Sequence, residues 1–189
     1  MKKIEVVVGK NEEKVVPFVW VNGNDEEVFL DASLIGEGAR LTIVGIFLGS
    51  EQHNITFNTR VLHKAPHTKS LTALRGVFLQ QSSINNDGMI TIQKGAKGAD
   101  GYFSSKILLF DDAKGRSVPS LEIDENDLKA GHASTVGRPD ENQLFYLRSR
   151  GLSEKQAEQL IIQGFFDPVL AHLKLSEQKK IRKQLTSVL

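Results

Sequence analysis

The sequence predicts a mainly β protein that ends in helices. Residues 4 to about 135 fall into short, β-branched runs separated by turn residues. Comparable runs return at intervals of roughly 30 residues. From Pro139 onward the apolar spacing changes from alternation to the three-and-four spacing of helices.

The composition sets the class before any element is placed. The chain has 189 residues, 40% hydrophobic and 25% charged, which is ordinary for a globular protein with a real core. Basic and acidic residues number 24 and 23, a net charge of +1, so no global field invites nucleic acid or an anionic membrane. There is no cysteine, which excludes disulfides, thiolate metal sites and cysteine nucleophiles. The opening "MKKIEVVVGKNEEK" has an apolar run too short for a signal peptide or a membrane span. A soluble, cytoplasmic protein is expected.

The strand region reads in order as "IEVVV", "VVPFVWV", "EVFL", "RLTIVGIFLG", "NITFNTRVLH", "LTALRGVFLQ", "GMITIQ", "KILLF" and "SLEI". Breaks with turn chemistry fall at Asn22-Gly23-Asn24-Asp25, Gly36-Glu37-Gly38, Asn85-Asn86-Asp87-Gly88 and Lys114-Gly115. In the fifth run, Ile55, Phe57, Thr59, Val61 and His63 share one face. Strands starting near 43, 55, 71, 89, 103 and 118, taken alternately, are 28, 34, 32 and 29 residues apart. A two-strand unit at that period fits a stacked β-solenoid. Short strands with regular turns fit an antiparallel sandwich equally well.

The helical region, 138–189 after a strand body of 1–137, has its own punctuation. Pro139 suits a first helical turn, Asp140 and Glu141 its positive end, and Gly151 a left-handed stop. Ser153 and Gln156 form a capping box for a second helix with a stripe of Ala157, Leu160, Ile161, Gly164 and Phe165. Asp167-Pro168 is expected to end it. A last basic helix sets Ile181, Leu185 and Leu189 on one side. Its lysines and arginines read as a solvated face, because no aromatics interleave with them.

Enzyme motifs are missing. No phosphate loop, dinucleotide fingerprint or nucleophile elbow occurs, and "KGAKGADG" reads as a turn. His63 and His67 are four apart, but Pro66 intervenes, so they read as structural rather than chelating. His132, between Gly131 and Ala133, reads as a buried packing residue, with a metal or sulfur-related role as the alternative. In "NQLFYLRSRG", Leu144 and Leu147 suit a core, whereas Phe145, Tyr146, Arg148 and Arg150 suit either a core or an interface.

The stretch from "SVPSLEIDENDL" through "GHASTVGRPDENQLFYLRSRG" to "QGFFDPVL" resembles the C-terminal signature of the SufB/SufD family of iron–sulfur cluster assembly proteins. Pro119, Leu121, Glu122, Ile123, His132, Thr135 to Gly137, Asp140, Gln143 to Gly151 and Phe165 carry the resemblance. "HKAPHTKS", "LRGVFLQQSS" and "KGADGYFSSKILLF" extend it upstream, so that it covers roughly residues 40 to 170. The chain departs from the pattern in having "NNDG" and "HAST", and in placing Phe103, Ser105 and Ile107 where the family has Gln and Asn.

The resemblance implies a shortened, right-handed parallel β-helix with a C-terminal α-helical domain, and it decides against the sandwich. It implies a non-catalytic scaffold subunit that docks a SufC-type ABC ATPase on the C-terminal helices, with Phe145, Tyr146, Arg148, Arg150 and Phe165 as contacts. Pairing through the β-helix follows, with a SufB-like partner or with itself as a homodimer. The cysteine of SufB-like members falls at about Ala113, while His132 occupies the histidine position of SufD-like members near the pair interface. The chain is therefore similar to SufD. No firmly bound cofactor is expected, only a transient iron or iron–sulfur cluster held together with a partner, His132 being the candidate metal ligand. The rival reading is a stand-alone β-solenoid interaction protein, a homodimer outside cluster assembly.

Overall fold

A computed structural model describes residues 1–188, with all strands preceding all helices. The strands are β1 (Lys2–Val8), β2 (Glu13–Val21), β3 (Glu26–Leu34), β4 (Arg40–Gly49), β5 (Asn54–His63), β6 (Lys69–Phe78), β7 (Ser83–Ile92), β8 (Ala99–Leu109), β9 (Lys114–Ile123) and β10 (Leu128–Gly137). The helices are α1 (Glu141–Ser149), α2 (Glu154–Leu170) and α3 (Leu175–Thr186). Odd strands form one sheet, β1-β3-β5-β7-β9, and even strands the other, β10-β8-β6-β4-β2. Every pairing is parallel, which a sandwich of hairpins cannot produce. The result is a β-solenoid of about five turns. Hydrogen bonds between neighbouring coils, such as Asn22–Ser50, Phe57–Asn86 and Gln80–Asp111, join residues 28, 29 and 31 apart, close to the period seen in the sequence.

The core lies between the sheets. Ile55, Phe57, Thr59, Val61 and His63 all point into it, as their alternation requires. Large rings fill space that glycines vacate. Phe18 pairs with Gly45 across β2 and β4, and its ring stacks on Phe57 at 4.7 Å. A Cβ on Gly45 would come within 2.4 Å of Leu74. Burying rings like these stabilises the fold by roughly 1.5–3 kcal/mol each.

Two predicted turns are strand. Asn85 to Gly88 lies inside β7, and Lys114-Gly115 opens β9. Turn-type residues serve the strand here because each has a partner that a turn would not supply. Asn86 is fully buried, donates from Nδ2 to the Phe57 carbonyl at 2.6 Å and accepts from Ser117 Oγ at 3.1 Å. Asn85 and Asp87 point outward and accept from Arg116 Nη1 at 2.9 and 2.6 Å. Gly88 is required because a Cβ would lie 2.1 Å from the Phe103 ring.

The true turns are the solenoid corners, where residues of positive φ stack in columns. Asn22, Glu51, Gln80 and Asp111 form one such column. Its side chains knit successive coils: the amide of Ser50 donates to Asn22 Oδ1 at 2.8 Å and that of Gln80 to Asp111 Oδ2 at 2.9 Å. Backbone amides that the sheets leave over at the corners are thereby satisfied.

The helices α2 and α3 lie on the outer face of the even-stranded sheet. Ile162, Phe166, Val169, Leu170, Ile181 and Leu185 close over Val44, Ile46, Leu48 and Val77. The buried seam of α2 is thus shifted by one position from the predicted stripe: Leu160 is 49% exposed, and Gly164 faces open space. Nor does Pro168 end the helix. Burial of Val169 and Leu170 holds the last turn in place. The Ser153–Gln156 capping box forms, and Gly151 takes φ +95°. Leu189 lies outside the described residues.

Candidate functional site

Two features stand apart from this packing: the C-terminal end of the solenoid and the helix that leaves it. His132 lies on β10, in register with Phe103 of β8, which is 1% exposed. It therefore belongs to the inward-facing row, yet it is exposed, because among the described residues no further coil stacks on β9 and β10. The expectation of a buried packing histidine is corrected for that reason. Around it the core cross-section stays open. Ile123 and Val136 are 44% and 37% exposed, and Leu121, Leu128 and Ala130 are only partly covered. Ser134 Oγ donates to the Ser117 carbonyl at 3.3 Å across the last coil. Among the described residues no group of three or more His, Asp or Glu side chains is arranged to hold a metal.

In the first coil Ile4, Val6 and Val16 are likewise only partly covered. Phe18 and Trp20 are buried although they belong to the first coil. The Trp20 Nε1 donates to the Asn24 carbonyl at 3.3 Å, and the Lys2 ammonium sits 5.5 Å from the centre of the Phe18 ring.

The second feature is α1. None of its nine residues is buried, and Phe145 and Tyr146 are 75% and 56% exposed. The Arg150 guanidinium lies 5.5 Å from the Tyr146 ring centre and donates from Nε to its hydroxyl at 3.3 Å, which fixes the ring. Arg148 sits 4.0 Å from Glu154, a loose ion pair that links α1 to α2. Leu144 and Leu147 are half-buried.

Phe165 is separate from this group. It lies on α2, half-buried, with the Arg75 guanidinium 4.8 Å from its ring centre and Arg75 Nη1 donating to its carbonyl at 2.7 Å. Burial lowers the Arg75 pKa without discharging the side chain. Sequence reasoning missed Arg75 because nothing in "TALRGVF" says that a helix 90 residues on will cover it.

The remaining histidines have structural explanations. His63 is fully buried between Thr68 Oγ1 and Ser70 Oγ, both at 2.8 Å. The Thr68 hydroxyl donates to the Ala65 carbonyl, so it accepts from Nδ1–H of His63, and Nε2 accepts from Ser70. Burial pushes this imidazole down to about 4, partly offset by the Asp100 carboxylate. His67 is exposed at a corner with φ +55°. The two do not converge on a metal.

What the geometry defines is a parallel β-solenoid that carries two exposed features, a partly open coil end and an aromatic arm. Comparison with known proteins gives the particular family. The SufBD core domain of the SUF system for FeS cluster assembly matches residues 18–165. The chain is 34% identical over 158 residues to the iron–sulfur cluster assembly protein SufD of Bacillus subtilis, covering 83% of this chain and 36% of that protein. It is 31% identical over 180 residues to a SufBD-family cluster assembly protein of Mycobacterium tuberculosis, covering 90% of this chain and 45% of the relative. A second such protein from that organism is 32% identical over 160 residues, with 19% of its length covered. The chain therefore belongs to the SufBD family of iron–sulfur cluster assembly proteins. It spans less than half the length of these relatives. No described helix is long and apolar enough to cross a membrane.

Proposed function

We propose that this chain is a SufD-like, non-catalytic scaffold subunit of cytoplasmic iron–sulfur cluster assembly that docks a SufC-type ABC ATPase through its C-terminal helices. The observation that supports this best is α1, a helix with no fully buried residue that presents Phe145 and Tyr146 to solvent. Aromatic and arginine side chains of this kind are the ordinary anchors of protein interfaces. Arg150 keeps Tyr146 in place, Arg148 borders the pair, and Phe165 with Arg75 sets the position of the α2 against which the arm leans. The ATPase's nucleotide cycle would then move the paired β-helices.

His132 is proposed as an interfacial ligand at the open end, where a SufB-like subunit or a second copy would stack. The chain has no cysteine. One exposed imidazole cannot complete a coordination sphere, so iron or a cluster would be transient cargo, held only together with a partner's ligands. The test is binding of the purified chain to the SufC-type ATPase of its own organism, with and without ATP. Saturable binding is expected, and Phe145→Ala combined with Arg148→Ala should abolish it while leaving the melting temperature unchanged. Affinity unchanged by the pair of substitutions would remove the docking site from α1. The second reading, a stand-alone homodimeric solenoid, draws on the open end alone, since that surface calls for a partner but not for an ATPase. A folded protein that self-associates and never binds the ATPase would favour it.

A further inference from the structure

The chain leaves the solenoid where a fifth corner of the Asn22–Glu51–Gln80–Asp111 column would fall. In that column, side chains accept from the amides of neighbouring coils. At the last position the pattern reverses: Arg138 Nη2 donates to the Asp111 carbonyl at 2.7 Å. A charge-assisted hydrogen bond thus ties the exit of the chain to the corner between β8 and β9.

The segment it ties is laddered to β8 along its length and touches β9, but has no strand on its other edge among the described residues. β10 is an edge strand, paired only with β8. All of Ser134 to Gly137 is exposed. The helices do not blanket it, because α2 rests on β4 and β6, and α3 on β2. Three residues, Arg138, Pro139 and Asp140, join it to α1, and Asp140 caps that helix by accepting from the Asn142 amide at 2.9 Å. Proline fixes its own φ and biases the residue before it toward extended backbone, so the joint is short and stiff. α1 itself leans chiefly on α2. His132 lies five residues before the end of β10.

We infer that β10, the connection at 138–140 and α1 form one lever, and that Arg138 is the pin holding the lever to the solenoid body. A load applied to α1 reaches the row containing His132 along a continuous backbone, and the Arg138–Asp111 bond sets how far β10 yields. Arg138 is thus a positioning residue. The inference rests on the proposed docking only for the origin of the load; the pin and the lever are properties of the free chain.

Hydrogen–deuterium exchange on the full chain tests both. Arg138→Ala should raise amide exchange about five- to tenfold in the last half of β10 and in the first turn of α1, with β4, β6 and α2 unchanged. Arg138→Lys, which keeps one donor, should restore part of the protection, and Lys129→Ala, which removes a charge from the same strand, should change nothing. Exchange within twofold of wild type in Arg138→Ala would overturn the pin. A rise confined to residues 138–140 would overturn the lever. Failure of the ATPase to bind would sink the docking reading and leave this result to stand or fall by itself.

Discussion

His63 shows what one side chain inside a solenoid demands. Its two ring nitrogens are matched to Thr68 and Ser70, and burial favours the neutral ring, which donates from Nδ1 and accepts at Nε2. Its folded pKa of about 4 lies below the ordinary 6.5, so between those values the unfolded chain binds more protons than the folded one. Stability contributed by this site is therefore fully present above pH 6.5 and is lost as pH falls toward 4, by about 3 kcal/mol at most. Denaturant titrations at several pH values should show this slope, and His63→Gln should flatten it. A ring whose NMR titration midpoint lies near 6.5 would contradict the assignment. At this scale the sequence was partly legible. Alternation around Phe57 placed His63 on the inner face, but "NNDG" read as a turn because Asn and Gly favour turns whenever their partners are out of sight. Asn86 and Gly88 answer to Phe57, Ser117 and Phe103, which are 15 to 31 residues away. No local pattern reports such contacts.

Elements were more legible than residues. The Ser153–Gln156 capping box located the start of α2, whereas α1 starts at Glu141 with Asp140 as its cap and leaves Pro139 outside the first turn. Which face of α2 is buried was less clear, because Leu160, Ile161, Ile162, Phe165 and Phe166 offer two overlapping stripes. The sheet chooses between them. Arg75 contributes to that choice by gripping the Phe165 carbonyl and ring from below. Arg75→Met should keep the apolar stem and lose the grip, loosening α2 from β6 at a cost of roughly 1.5–3 kcal/mol. Faster amide exchange in α2 and α3, with the strands of the solenoid unaffected, is the expected sign. Unaltered exchange there would show that the apolar seam alone holds the helices. The composition of α1 marked it as unusual, but only the structure shows that none of its residues is fully buried.

For the whole molecule, periodicity near 30 residues left solenoid and sandwich level, because strand length and turn spacing are common to both. Parallel pairing separates them, and pairing direction leaves no trace in a single run of alternating residues. The open end of the solenoid was likewise invisible, since Ile123 and Val136 continue rows that are buried in every earlier coil. Placing Asp at both positions should leave the melting temperature nearly unchanged, because neither side chain is fully buried, and should abolish any self-association measured by light scattering. A dimer that survives both substitutions would put its interface elsewhere. The edge strands of the first coil carry Lys2, Lys3 and Glu5 on one sheet and Glu13, Lys14 and Pro17 on the other, charges and a missing amide donor that oppose the pairing of another strand along those edges.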